Sequence, residues 1–128
     1  RDLHSFPTRR SSDLTIFTSS CTPGQVLSIP IAHMDGNFYI DEAGLERLRG
    51  YGGIVLSYCG SDGAVLPEHN PNGSVANIAG IVNESGNVFG LMPHPERAGE
   101  SILGSEDGNY IFKSIIKSLE SGSGRWTA

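Results

Sequence analysis

Apolar residues along this chain fall mostly into short runs and take up helical spacing in only two places. Gln25 to His33 (QVLSIPIAH) groups Val26, Leu27, Ile29 and Ile31 into one such run, and Pro30 inside it predicts an edge strand or a bulge rather than a central strand. Ile54 to Cys59 (IVLSYC) is apolar almost throughout and reads as a buried strand. Ile78 to Val82 and Val88 to Leu91 are two further short strands, separated by Asn83-Glu84-Ser85-Gly86-Asn87, whose residues suit a hairpin turn. Thr15 to Ser20 (TIFTSS) is short and β-prone and runs into the turn residues Cys21-Thr22-Pro23-Gly24, so a strand and then a turn are expected there.

The two helical stretches carry their own punctuation. Asp41 is placed to cap a short helix through about Gly50, with Ile40 and Leu45 at the spacing of a hydrophobic staple. Leu45 and Leu48 form its buried stripe, while Glu42, Glu46, Arg47 and Arg49 can stay in water. Ser105 is the expected N-cap of a second helix to about Leu119, with Glu106 and Asp107 in its first turn. Ile111, Phe112, Ile115, Ile116 and Leu119 share one face of it, which marks a packing helix. Strands, some in hairpin order, alternating with two helices give an α/β or α+β class. Residues 60–77 form a loop rich in Gly, Pro and Asn, and the tail from Ser121 to Ala128 is expected to be loose.

Composition narrows the function without naming it. The chain has 128 residues, 17 of them glycine, with a net charge of −5, which argues against nucleic acid or an anionic membrane surface as partner. No apolar run approaches the length of a membrane span. Two cysteines are too few for a disulfide framework, and no secretory signal is apparent, so a reducing cytoplasm is the expected compartment. In that setting the sequons Asn72-Gly73-Ser74 and Asn83-Glu84-Ser85 are coincidental.

One acid/base constellation stands out, in Gly90-Leu91-Met92-Pro93-His94-Pro95-Glu96-Arg97. Each proline fixes its own φ and drives the residue before it, Met92 and then His94, out of the α region, so the backbone is expected to be extended or turned and not helical. In an extended backbone residues two apart project to the same side, so His94 and Glu96 are expected to share a face, the carboxylate holding one ring nitrogen. That is the base and orienting group of a nucleophile triad. A lone histidine in a turn is more often a surface or capping residue, and the sequence supplies no partner nucleophile to decide the matter. Cys59 runs into Gly60-Ser61-Asp62-Gly63 and Cys21 into Thr22-Pro23-Gly24, neither of them the strand-to-helix turn that exposes a catalytic thiolate beside backbone N–H groups. His33, His69 and His94 have no recognised metal-ligand spacing, so no metal is expected.

The string MPHPER, preceded by IAGIVNESGNVFGL and followed by LGSEDGNYIFKSI, resembles the C-terminal half of the glutaminase subunit of phosphoribosylformylglycinamidine synthase, one of the class I glutamine amidotransferases. The resemblance covers about residues 15–120 and implies an α/β fold, the C-terminal part of a flavodoxin-like amidotransferase domain. It implies that His94 is the general base and Glu96 its orienting carboxylate in a Cys-His-Glu triad whose cysteine belongs to a half not present here. It also implies L-glutamine as substrate, and a large synthetase subunit with a small accessory subunit as partners. No cofactor is implied for this chain, ATP and Mg²⁺ being placed on the synthetase. Met34 stands where glycine is common in the family. An amidotransferase feeding another synthetase, or a non-catalytic synthetase-binding module of the same fold, are the alternatives. Residues 1–14 (RDLHSFPTRRSSDL) resemble instead the in-frame translation of a sequencing-adapter oligonucleotide, and are expected to be disordered and dispensable.

Overall fold

The computed structural model describes residues 4–10, 15–31, 37–100 and 105–121. Five strands make one antiparallel sheet: β1 (His4–Arg10), β2 (Val26–Ile31), β3 (Ile54–Tyr58), β4 (Ile78–Val82) and β5 (Phe89–Leu91), in the spatial order β2-β1-β3-β4-β5. Strand β2 lies at one edge, as Pro30 requires, since a proline cannot donate to a second ladder. Its Leu27 and Ile29 are fully buried.

The occupant of the place beside β2 departs from expectation. Residues 4–10, expected to be without structure, form β1 and pair with β2 from His4↔Ile31 to Arg9↔Val26 and with β3 from Thr8↔Tyr58 to Arg10↔Leu56. Thr8 is buried and its hydroxyl donates to the Leu27 carbonyl at 3.3 Å. Ladder bonds are made by backbone groups, so a segment of unremarkable sequence can fill a gap between two strands that each have a free edge.

The hairpin between β4 and β5 forms as read, with Val82 opposite Phe89. Asn83 closes it: its side-chain oxygen accepts from the Asn87 and Val88 amides at 3.0 and 2.9 Å, and Gly86 takes the positive φ of 75° that the turn demands. Two helices flank the sheet. Helix α1 (Glu42–Gly50) begins at Asp41, whose carboxylate accepts from the Gly44 amide at 2.8 Å. Of its two leucines Leu48 is buried and Leu45 half-buried. Past its end the Tyr51 hydroxyl donates to the Val82 carbonyl at 2.9 Å, tying the helix to β4.

Helix α2 (Asn109–Glu120) starts later than expected. The Ser105 hydroxyl accepts from the Asp107 amide at 3.0 Å and so closes a turn before the helix, which has Gly108 at its N-cap position. Residues 15–20 are not a strand either. Thr15 Oγ1 accepts from the Phe17 amide at 3.2 Å and lies 2.9 Å from Thr18 Oγ1, so hydroxyl groups bend the segment into turns, a local competition that β-propensity ignores. Ile16 and Phe17 are still buried by it, and Phe17 stacks on Phe89 of β5 with ring centroids 4.8 Å apart. These side chains join Leu27, Ile29, Val55, Leu56, Tyr58, Ala79 and Ile111 in the hydrophobic core.

The stretch 60–77 is ordered by its own side chains. Asn70 Oδ1 accepts from the backbone amides of Asn72, Gly73 and Ser74 at 3.2, 2.8 and 3.2 Å. Ser74 Oγ accepts from the Phe38 amide at 3.2 Å, and the Phe38 carbonyl accepts from the Val75 amide at 2.9 Å. Buried Asn77 donates to the carbonyls of Leu66 and Tyr58 at 2.7 and 3.3 Å. The Tyr58 hydroxyl accepts from Asn72 Nδ2 at 3.4 Å, and burial pushes its pKa up to about 12 against that opposing hydrogen bond.

Candidate active site

Met92 and His94 are held by strands that are not neighbours in the sheet. The Met92 amide donates to the Ala79 carbonyl of β4 at 3.1 Å, and the His94 amide donates to the Pro30 carbonyl of β2 at 2.7 Å. Pro93 between them is buried. His94 is extended (φ −103°, ψ 93°), as the residue before a proline should be, and Pro95 then starts a 3₁₀ turn over Pro95–Ala98, closed by Arg97 N donating to His94 O at 2.9 Å.

His94 Nδ1 lies 3.1 Å from Glu96 Oε2. The two residues meet as expected, through a tight turn, one of the two backbones the prolines allow: His94 stands at the N-terminal boundary of the turn, where a side chain two residues on folds back toward it. With Nδ1 donating to the carboxylate, the neutral ring carries its lone pair on Nε2 and is fixed in one tautomer. The imidazole is half-buried and the carboxylate more open, with side-chain exposures of 32% and 59%. A pair so arranged can take a proton at Nε2 from an approaching thiol or water and return it to a leaving group.

Residues that the sequence reading assigned to the first turn of α2 in fact seat this turn. Asp107 Oδ2 accepts from the Ser28 amide of β2 at 2.8 Å. The Gly108 amide donates to the carbonyl of fully buried Ala98 at 2.9 Å, and Asn109 Nδ2 donates to Gly99 O at 3.0 Å. The signal available for them was a glycine at the mouth of a helix, which marks either a cap or the close approach of another segment.

Three cavities among the described residues lie outside the pair, the largest of them, of about 410 Å³, between Leu48, Tyr51 and Glu84. A second, of about 290 Å³, is lined by Phe38, Ile81, Leu91 and Met92 among others. The third, of about 300 Å³, is lined by Cys59 with Glu68 and His69. Cys59 and Cys21 are both buried. Neither leads into a helix: Cys59 enters a turn closed by Gly60 N donating to Ala64 O, and Cys21 leads to β2. Neither lines a cavity with His94 among those above. His33 and Met34 lie outside the described residues. Among the described residues, no three His, Cys, Asp or Glu side chains gather in a group that could hold a metal ion, and no helix is long and apolar enough to cross a membrane.

This sheet, with its histidine and glutamate on the turn after β5, is that of the CobB/CobQ-like glutamine amidotransferase domain family: residues 8–110 match the family, and the chain is a member of it. It is similar to the phosphoribosylformylglycinamidine synthase subunit PurQ of Salinibacter ruber, 52% identical over 110 residues, which are 86% of this chain and 47% of that protein. PurQ of Methanosarcina barkeri is 55% identical over 102 residues, 80% of this chain and 44% of that protein. The structure of PurLQS from Thermotoga maritima contains a chain that superposes with a TM-score of 0.72 at 39% identity, covering 92% of this chain and 48% of that one. The chain thus spans about half the length of the relatives it matches, and the resemblance read from MPHPER and its flanks is borne out.

Proposed function

We propose that this chain supplies the His–Glu half of a glutaminase that hydrolyses L-glutamine to glutamate and ammonia. The observation that carries this reading is the 3.1 Å contact of His94 Nδ1 with Glu96 Oε2, which leaves Nε2 as a base with a defined direction. In the intact domain a cysteine thiol loses its proton to Nε2 and the thiolate attacks the glutamine γ-carbonyl carbon. Collapse of the tetrahedral adduct expels ammonia, which takes that proton from the imidazolium, and leaves a γ-glutamyl thioester. Water, deprotonated by the same nitrogen, then attacks the thioester carbonyl; the C–S bond breaks, glutamate is released, and the leaving thiolate takes the proton back from the imidazolium. Glu96 acts throughout by holding the ring and stabilising its charged form.

The names of the relatives support the further assignment that the ammonia serves the ATP-dependent conversion of formylglycinamide ribonucleotide to formylglycinamidine ribonucleotide in purine synthesis. The partners are then a large synthetase subunit and a small accessory subunit, in line with the PurLQS assembly of the solved relative, with ATP and Mg²⁺ held by the synthetase. The compartment is the cytoplasm.

The experiment is to join this chain to the complementary half of Salinibacter ruber PurQ, assemble it with the synthetase, and compare glutamine with ammonia as nitrogen source. His94→Ala should lower glutamine-driven turnover by about 10²–10⁴-fold, and Glu96→Gln should lower it less, while ammonia-driven turnover persists in both. Equal loss with both nitrogen sources, or no loss with glutamine, sinks the assignment.

A further inference from the structure

Helix α2 turns two serines inward and leaves three of its large apolar residues outward. The face that meets the rest of the chain carries Ile111, Ser114 and Ser118, all buried. The serines are used as hydrogen-bonding groups: Ser114 Oγ accepts from the Ser20 amide at 2.9 Å, and Ser118 Oγ donates to the Ile16 carbonyl at 3.2 Å. Phe112, Ile116 and Leu119 are meanwhile 39, 53 and 53% exposed. At about 100° per residue these three fall within one narrow sector, well round the helix from the serines. Half-buried Ile115 lies between the two sectors and packs on the core, so the outer stripe continues the core's apolar surface. Lys113, Lys117 and Glu120 occupy a third sector of their own, exposed to water. A helix that ended at solvent would carry charges on all of its outer surface; this one keeps a dry-type stripe apart from a wet one.

We propose that the Phe112–Ile116–Leu119 stripe is the seat of the other half of the amidotransferase domain, so that α2 is an interior helix of the complete fold. The proposal rests on the family membership and the half-length match above: relatives carry about as much chain again beyond what this one covers. Three part-exposed side chains alone fall well short of the roughly 800 Å² per partner of a standard stable interface, so whatever covers them draws on neighbouring surface as well. They suit a packing contact within one domain, where the remaining area is supplied by neighbouring surface.

Single thiols introduced by Ile116→Cys, or by Lys117→Cys on the charged sector as a reference, are labelled with a maleimide in this chain alone and in the chain joined to the complementary half of Salinibacter ruber PurQ. The native cysteines are buried, which keeps their background low. Both positions should react at similar rates in the chain alone. In the joined protein position 116 should slow at least tenfold and position 117 should not. Equal rates at 116 in both proteins overturn the proposal, as does slow labelling at 116 in a chain that elutes alone as a dimer. Ile116→Asn gives a second measure: the melting temperature should stay within about 1 °C in the chain alone but fall by several degrees in the joined protein, and equal shifts overturn the assignment. No readout uses glutamine, so a joined protein that protects position 116 without glutaminase activity would remove the proposed activity and leave the surface standing.

Discussion

Gly108 lies so close beneath Pro95 that a Cβ at position 108 would stand 2.1 Å from the Pro95 carbonyl oxygen. The glycine has ordinary helical angles, φ −61° and ψ −23°, so nothing in its own backbone angles excludes alanine, although glycine is favoured over alanine at an N-cap. The close approach of the histidine-bearing turn adds a steric demand that only glycine meets. Gly108→Ala should therefore lower stability by about 1–3 kcal/mol through overpacking, and should loosen the His94–Glu96 contact. Denaturant titration reads the first effect, and the proton resonance on the His94 ring nitrogen reads the second. A variant as stable as the parent, with an unmoved ring resonance, would mean that the turn does not depend on this contact.

Ala76 and Asn77 share a left-handed conformation, with φ of 53° and 59°, and should respond in opposite ways to glycine. Ala76 is exposed and no side-chain contact repays its strain, so Ala76→Gly should raise stability by about 0.5–1 kcal/mol. Asn77→Gly relieves the same strain but removes the donor to Leu66 O and Tyr58 O and the acceptor for Asn70 Nδ2, leaving the buried Tyr58 carbonyl and the part-buried Leu66 carbonyl each short of a hydrogen bond. A loss of about 2 kcal/mol is expected there. Thermal melts of the two variants test the contrast, and shifts of the same sign would contradict it.

Tyr58 should make the chain sensitive to alkali. Its folded pKa of about 12 lies above the ordinary value of 10.0, because burial disfavours the phenolate. The unfolded state therefore loses the proton first, and the stability present below about pH 10 falls as pH climbs toward the folded value, by about 3 kcal/mol at most. Tyr58→Phe should flatten this decline, at the cost of the contact with Asn72. An identical slope above pH 10 in parent and variant would assign the alkaline loss to other groups.

Removing the strand residues His4 to Arg10 should abolish cooperative unfolding, because β1 fills the sheet between β2 and β3 and its loss exposes both of their facing edges. This reverses the dispensability expected from the adapter-like sequence. Circular dichroism melts of the truncated chain decide between the two, since an unchanged transition would make the segment an appendage after all.

The elements legible in the sequence were those whose causes lie within a few residues of themselves. Asp41 announces α1 because its carboxylate reaches Gly44, and the 83–87 turn announces its hairpin because Asn83 and Gly86 satisfy it locally. Pro30 marks an edge because its constraint travels with the residue. The His94–Glu96 pair was legible for the same reason, and the turn that joins them is one of the two backbones, extended or turned, that the flanking prolines allow. What escaped depends on distant partners. Neither the strand at 4–10 nor the seating of Gly108 under Pro95 has a local signature, since each is set by the space that other elements leave. At 15–20 the local signal itself was misread: threonine favours strands on average, yet here the hydroxyls of Thr15 and Thr18 bind turns.

The cross-bonded loop at 60–77 changes what a long irregular segment means in this chain. Such a stretch is ordinarily the first to open and the first that a protease cuts. Here the Asn70 carboxamide already collects three amides, and Ser74 and Val75 hook the chain at Phe38, so opening at one point requires several bonds to break together. The segment behaves as a clasp: it keeps Phe38, and with it one wall of the apolar cavity beside Met92, in register with a sheet to which residues 37–40 contribute no strand.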